Sequence, residues 1–332
     1  MKKVLSILLA VVILMATLVS CDGKEQTTNK PTTTTNPTTS TTNQDPIVPP
    51  EEKYSEGLEF TLNSDGKSYI VTGIGTCTDV DLIIPGTYKD LPVLAIGENA
   101  FKGNTDIKSL STGKSVTTIC AYAFQNCTSL ETLYFGDSFI NIEEYAFENC
   151  FALANLYGGK NFKEFPLTAF YYCAGLANIV IDEENPYFKS IDGSFYSKDG
   201  KTLIRYAVGK KDDHFTIPEH VTTIGEQSFY GAVNLKSITL PSALESIGSL
   251  AFGYCTSLES IRIPATVKSI GSSAFGSCNS LTQIFYDGTL EQWQQIPKYY
   301  WAPSTEYTVF CTDASINYLG WVVIYSNVTP AP

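Results

Sequence analysis

"AFGYCTSLESIRIP", Ala251 to Pro264, is very nearly written twice more in the same chain. "AFQNCTSLETLYFG" runs from Ala123 to Gly136 and "AFGSCNSLTQIFYD" from Ala274 to Asp287. A catalytic motif is usually needed once. A phrase that returns at a fixed interval is a structural unit that stacks on itself. The Phe of this phrase serves as a marker. It falls at Phe101, Phe124, Phe147 and Phe170, then at Phe229, Phe252 and Phe275, 23 residues apart within each run and 59 between the runs. The residue five before the marker is Ile in every copy except Phe165. One before is Ala, except Ser228. Six after is Leu, except Ile107, and nine after is always Leu or Ile.

Leu258-x-x-Ile261-x-Ile263 ends in the alternation of a short strand with one buried side. Ala-Phe-x-x-Cys places Phe and Cys within one helical turn, which predicts a short helical piece. Gly97, Gly225, Gly248 and Gly271, just before it, suit a tight bend. One such coil cannot bury its own apolar side, whereas stacked coils share a continuous core. The pattern therefore predicts a repeat solenoid of 23-residue leucine-rich units with short strands on one face.

The phrase V-x-x-I-G-x-x-A-F-x-x-C-x-S-L-x-x-I-x-I-P is clearest from Val221 to Pro241 and from Leu244 to Pro264. It resembles the BspA-like (Treponema-type) leucine-rich repeat, over nearly all of Leu58 to Asn317. Gly136, Gly159 and Asp182 depart from it where Pro is expected. The resemblance implies a surface protein that binds other cells, host proteins or matrix, and no enzymatic activity from the repeat itself. It also implies that a hairpin between repeats is a family habit.

Two segments read as hairpins. Strands near Leu58 to Leu62 and Ser68 to Ile74 flank Asp65-Gly66 and form an N-terminal cap. Within the 59-residue gap, Ser194 to Ser197 and Thr202 to Val208 flank Lys198-Asp199-Gly200. After Tyr286 the period breaks, as a terminal cap should. A short helix is expected at Thr289 to Gln295, with Trp293 and Trp301 covering the last coil. The expected layout is a cap at 58–95, repeats at 96–182, the hairpin insert at 183–218, repeats at 219–286, a cap at 287–317 and a tail at 318–332.

The N-terminus is of another kind. Lys2 and Lys3 precede an apolar run from Val4 to Val19, which ends in Leu18-Val19-Ser20-Cys21. The run suits a signal peptide, and its end looks like a bacterial lipobox with Cys21 as the lipidated residue. Residues 1–20 would then be removed, and the protein held at the extracellular face of the bacterial cell membrane. Residues 21–57 are rich in Thr, Pro and Asn and too polar to fold. They read as a tether or, in the sharper version, a glycosylated stalk.

The net charge of −12 argues against a nucleic-acid partner. Of the nine cysteines, Cys127, Cys150, Cys173, Cys255 and Cys278 each lie three residues after a marker. They form a column, read as buried thiols, although neighbouring coils are close enough not to exclude disulfides. Cys77, Cys120 and Cys311 lie off it. His214 and His220 have no partners at ligand or triad spacing, and Gly73-x-Gly75 lacks the rest of a nucleotide fingerprint. No catalytic, metal or cofactor site is expected.

What remains is a binding surface. Ten residues after the marker, side chains point away from the core, and this set includes Tyr134, Tyr157, Arg262 and Phe285. Such residues are enriched at binding hot spots. Tyr134 and Tyr157 should lie one coil apart and form a ledge. The inserted hairpin around Tyr196 and Tyr206 is the reserve site. The expected role is a surface adhesin or binding module for a protein or glycan. The alternative is an envelope accessory protein that captures glycans for a separate enzyme or transport system.

Overall fold

The computed structural model of the chain describes residues 54–303, 305–319 and 322–326. The segments expected as signal peptide and tether, with Cys21, fall on residues 1–57, of which 1–53 lie outside the described residues.

The described chain winds as a solenoid with two parallel strand ladders. The longer begins with Asp81–Ile83 in the N-terminal cap and continues with the strands after the markers: Asp81–Ile83, Ser109–Ser111, Thr132–Tyr134, Asn155–Gly158 and Asn178–Ile181 pair in register. It resumes with His214–Thr216 and Ser237–Thr239, and again with Ser260–Ile263, Gln283–Tyr286 and Tyr307–Phe310. The second ladder lies before the marker and was not foreseen. Leu91–Ile96, Thr118–Ile119 and Asn141–Ile142 form one stretch. Thr202–Arg205, Thr223–Ile224, Ser246–Ile247 and Ser269–Ile270 form another. Most of these strands have two residues, too short for alternation to show in a sequence.

The marker residues are the axis of the core. Phe101, Phe124, Phe147 and Phe170 stack at centroid distances of 4.9, 5.4 and 5.4 Å. Phe229, Phe252 and Phe275 stack at 5.0 and 5.1 Å. The N–H groups of Phe101, Phe124, Phe147, Phe229 and Phe252 also each donate to the residue before the next marker, as in Phe124 to Ala146 (2.8 Å) and Phe252 to Ala274 (2.7 Å). The small Ala at that site keeps the two backbones within reach.

The cysteine column is present as free thiols. Each Sγ donates to the marker carbonyl of the preceding coil: Cys127 to Phe101, Cys150 to Phe124, Cys173 to Phe147, Cys255 to Phe229 and Cys278 to Phe252, at 2.9–3.2 Å. A thiol is small and apolar enough for the core, yet supplies a second, weak donor to a carbonyl that already accepts the backbone N–H three residues on, as Phe124 does from Cys127 at 3.1 Å.

The helical piece expected at Ala-Phe-x-x-Cys is not formed. In its place stand tight turns with left-handed residues two before and two after the marker: Tyr122 and Asn126 around Phe124, Tyr145 and Asn149 around Phe147, Leu250 and Tyr254 around Phe252. Positive φ at every fourth residue stops a helix from propagating. Only the coil of Phe170, which begins at Pro166, makes a short 3-10 helix, Leu167–Phe170. Gly271 does open a tight turn, its carbonyl accepting from the Ala274 N–H at 3.3 Å. A Cβ there would lie 2.3 Å from the Ser249 nitrogen, so glycine is required for close approach of neighbouring coils.

The ends are built as hairpins and a helix. Glu59–Leu62 pairs antiparallel with Tyr69–Gly73, which starts the short ladder beside Leu91–Ile96. At the other end Leu290–Gln295 is an α-helix with a capping box between Thr289 and Gln292. It buries Trp293 against Trp301, whose ring meets Phe275 edge-on at 5.9 Å.

The insert has two turns, of which the sequence reading named one. Phe188–Ile191 and Ser194–Ser197 flank Asp192-Gly193, both with positive φ (48° and 67°), the geometry of a tight two-residue hairpin turn. Ser194–Ser197 then pairs with Thr202–Arg205, which ends three residues short of the expected Val208. That last strand joins the short ladder, and Tyr206 follows it in the marker position. Its ring stacks on Phe229 at 5.0 Å, and its N–H donates to Ser228 at 2.8 Å. The gap thus hides an eighth coil.

Because Phe252 stacks on Phe229 on one side and Phe275 on the other, Phe252→Ala is expected to destabilise the protein by about 3–5 kcal/mol. Lys236→Ala, which loses only an exposed ion pair with Asp213, should change stability by less than about 1 kcal/mol. Urea midpoints of the two variants measure the difference.

Candidate functional site

The outward side of the long ladder carries two aromatic ledges. In the first, Tyr157 pairs with Tyr134 across adjacent strands, and their rings stack at 4.9 Å and 6°. Both are half-buried, and burial, followed by Tyr157 and Asp81, raises the Tyr134 hydroxyl pKa. The phenol therefore stays protonated and can donate. Beside the rings runs a polar column, in which Ser109 Oγ donates to Asp81 (2.7 Å) and Asn155 Nδ2 to Thr132 Oγ1 (3.5 Å).

The second ledge lies toward the C-terminus. The Arg262 guanidinium sits 5.2 Å from the Phe285 ring centroid, and its Nη1 pairs with Asp287 at 2.6 Å. Phe285 in turn stacks on Phe310 at 5.2 Å. Phe310 was missed because the 23-residue spacing fails there, although the alternation Tyr307, Val309 inward and Thr308, Phe310 outward was legible. The four residues singled out from the sequence are thus brought together as two pairs.

The reserve site is corrected. Tyr196 and Tyr206 are 0% and 1% exposed and cannot present a surface. Tyr206 occupies a marker position, and Tyr196 packs into the same core.

His214 is exposed on the long ladder and held by hydroxyls alone. Its Nδ1 meets Ser237 Oγ at 2.8 Å, and its Nε2 meets Thr216 and Thr239 Oγ1 at 3.1 and 3.3 Å. A serine-activating His needs a group to orient it on the far side. Here that nitrogen is shared by two neutral threonines. Among the described residues no three His, Cys, Asp or Glu side chains gather to hold a metal. Burial pushes the Cys127 and Cys173 thiols up to about 12 and the Cys120 and Cys311 thiols up to about 11. None of these is an activated nucleophile.

The sequence matches the profile of the BspA type leucine rich repeat region, in six copies, over residues 94–204 and 209–318. The chain belongs to that family. None of the curated proteins matches it. Among solved structures it is similar to a leucine-rich repeat protein from Eubacterium ventriosum, with 21% identity over 70% of this chain and 71% of that one, and a TM-score of 0.51. It also matches the Treponema pallidum leucine rich repeat protein, with 22% identity over 70% and 91% of the two chains, and a TM-score of 0.38. The first likeness supports the leucine-rich repeat fold. Repeat proteins of this family are generally binding modules, not enzymes.

The thiol chemistry is directly measurable. At pH 8 the five column cysteines should resist alkylation until denaturant is added. Cys120 and Cys311 should react slowly, and faster as pH rises toward about 11. Mass-spectrometric mapping of labelled cysteines reads the order.

Proposed function

We propose that this protein is a lipid-anchored surface protein of a bacterial cell whose solenoid binds a protein on another surface. The observation that carries the reading is the Tyr134–Tyr157 ledge. These rings serve no core, lie beside a row of hydrogen-bonding side chains, and offer contact area with little conformational freedom to lose. The Arg262–Phe285–Phe310 ledge adds a second patch of the same kind. The apolar run before Cys21 supports the anchor, and the Thr- and Pro-rich stretch after it supports a tether lifting the solenoid off the membrane.

A glycan ligand, captured for a separate enzyme or transporter, is the second reading. The stack geometry favours a protein. Rings 4.9 Å apart and 6° from parallel cover each other's faces. They turn edges and hydroxyls outward, whereas a sugar ring packs best on an open aromatic face.

A screen of the soluble fragment from Tyr54 onward against protein and glycan arrays identifies the ligand class. Tyr134→Ser with Tyr157→Ser should weaken binding to the protein found by at least about tenfold, with the circular dichroism spectrum retained. Unchanged affinity in the folded double variant would move the site off this ledge. Separately, Cys21→Ala should shift the protein from the membrane to the soluble fraction of fractionated cells.

A further inference from the structure

The interval from Phe170 to Tyr206 is 36 residues, where every other marker interval is 23. The surplus is taken up by the paired strands Phe188–Ile191 and Ser194–Ser197, and several regularities of the solenoid fail at this one level. The marker stack stops: Phe170 stacks on Phe165 at 4.8 Å, and the column restarts with Tyr206 on Phe229. The long ladder ends at Asn178–Ile181 and resumes at His214–Thr216; it is interrupted again between Ser237–Thr239 and Ser260–Ile263, but there the short ladder and the marker stack run on. The short ladder ends at Asn141–Ile142 and resumes with the insert. The buried apolar residues form two clusters, one from Leu58 to Phe195 and one from Tyr196 to Ile316. The divide runs through a single strand, since neighbouring strand residues point to opposite sides.

The chemistry changes at the same level. One before the marker every coil has Ala, except the two that follow the break, which have Arg205 and Ser228. Arg205 is 6% exposed. Its Nη1 donates to the Gln227 carbonyl at 2.9 Å, and among the described residues no carboxylate pairs with it. The hydroxyls of Tyr196, Tyr206 and Ser228 and the Oε1 of Gln227 are buried without a partner among the described residues. Buried polar groups left unpaired, and above all an unpaired buried charge, weaken the interface that holds them. Across the break Ile179 N–H donates to Gly193 at 2.8 Å, Gly209 N–H to Leu176 at 2.9 Å, Tyr171 meets Tyr230 at 6.1 Å, Phe195 of the insert packs on Phe165 at 4.7 Å, and Ile204 packs against the first cluster, but neither the marker stack nor a strand ladder runs through.

We propose that this seam divides the solenoid into two cooperative units which part from each other before either unfolds. One is built on the coils up to Asn178–Ile181, the other on the coils from Thr202–Arg205 onward. In a repeat array each coil is held only by its neighbours, so one weak interface uncouples everything on its two sides. Each unit carries one of the two aromatic ledges, so the seam governs how the ledges are presented together. The division itself does not depend on what the ledges bind.

Hydrogen exchange of the purified mature chain, followed peptide by peptide across a urea series, tests this. The amides of Ile179 and Gly209 are expected to exchange at least tenfold faster, and at lower urea, than those of Phe124 and Phe252. Two variants make the test independent of the seam amides. Phe147→Ala should lower the urea midpoint of protection only in the first unit, and Phe252→Ala only in the second. Complete loss of protection in one unit with the other intact gives the same answer. The proposal is overturned if all amides exchange in one common step. It is equally overturned if either variant shifts both units together.

Discussion

The contact of one marker ring with the next, 23 residues on, is the constraint on which everything else rests. A single coil has no interior. It acquires one only when Phe lies on Phe, the marker N–H reaches the carbonyl of the following coil, and the thiol reaches back to the preceding one. Together these fix the step between coils at the stacking distance of aromatic rings, about 5 Å, which is also the spacing of strands in a sheet. The same step is then imposed on the outside. Tyr134 and Tyr157 stack at 4.9 Å because Phe124 and Phe147, ten residues before them, stack at 5.4 Å. The outer ledge is a projection of the inner column.

Why the sequence revealed some of this and hid the rest follows from which forces leave a mark on composition. Burial does: Phe, Ala, Cys and Leu at fixed offsets gave the period, and the period alone placed the Tyr pair and the Arg262–Phe285 pair. Backbone conformation left a weaker mark. Left-handed φ is usually signalled by Gly or Asn, yet here it is held at Tyr122, Tyr145 and Leu250. Packing on both sides overrides local preference at these residues, and the phrase reads as a helix that is never made. Tyr206 escaped as a marker because the count was broken before it. Phe310 escaped because the count was broken after Phe275. Asp192-Gly193 was a legible turn beside a louder one.

The two kinds of buried hydrogen bond in the core are unequal in kind. The thiol-to-carbonyl bonds join a weak donor to the second lone pair of a carbonyl that already accepts a backbone N–H, in surroundings that hold the thiol neutral. The guanidinium of Arg205 is charged and cannot relieve its burial by giving up a proton within the ordinary pH range. Cysteine therefore repeats along the column without penalty, while the arginine occurs only where the regular array is already interrupted.

Close approach at Gly271 and the constant 23-residue step also bear on how such a gene can change length. Recombination between two copies of the phrase removes or adds one whole coil, and the new neighbours meet through the same Phe, Ala and Cys that the old ones did. A change of one or two residues has no such immunity, because it throws every downstream side chain off its column. The 36-residue interval is the exception that the chain has survived, and it did so by folding the excess back on itself as a pair of strands. Lineages of this protein should accordingly differ by multiples of one coil, with the outward residues free to diverge under selection for new partners while the inward ones stay the same.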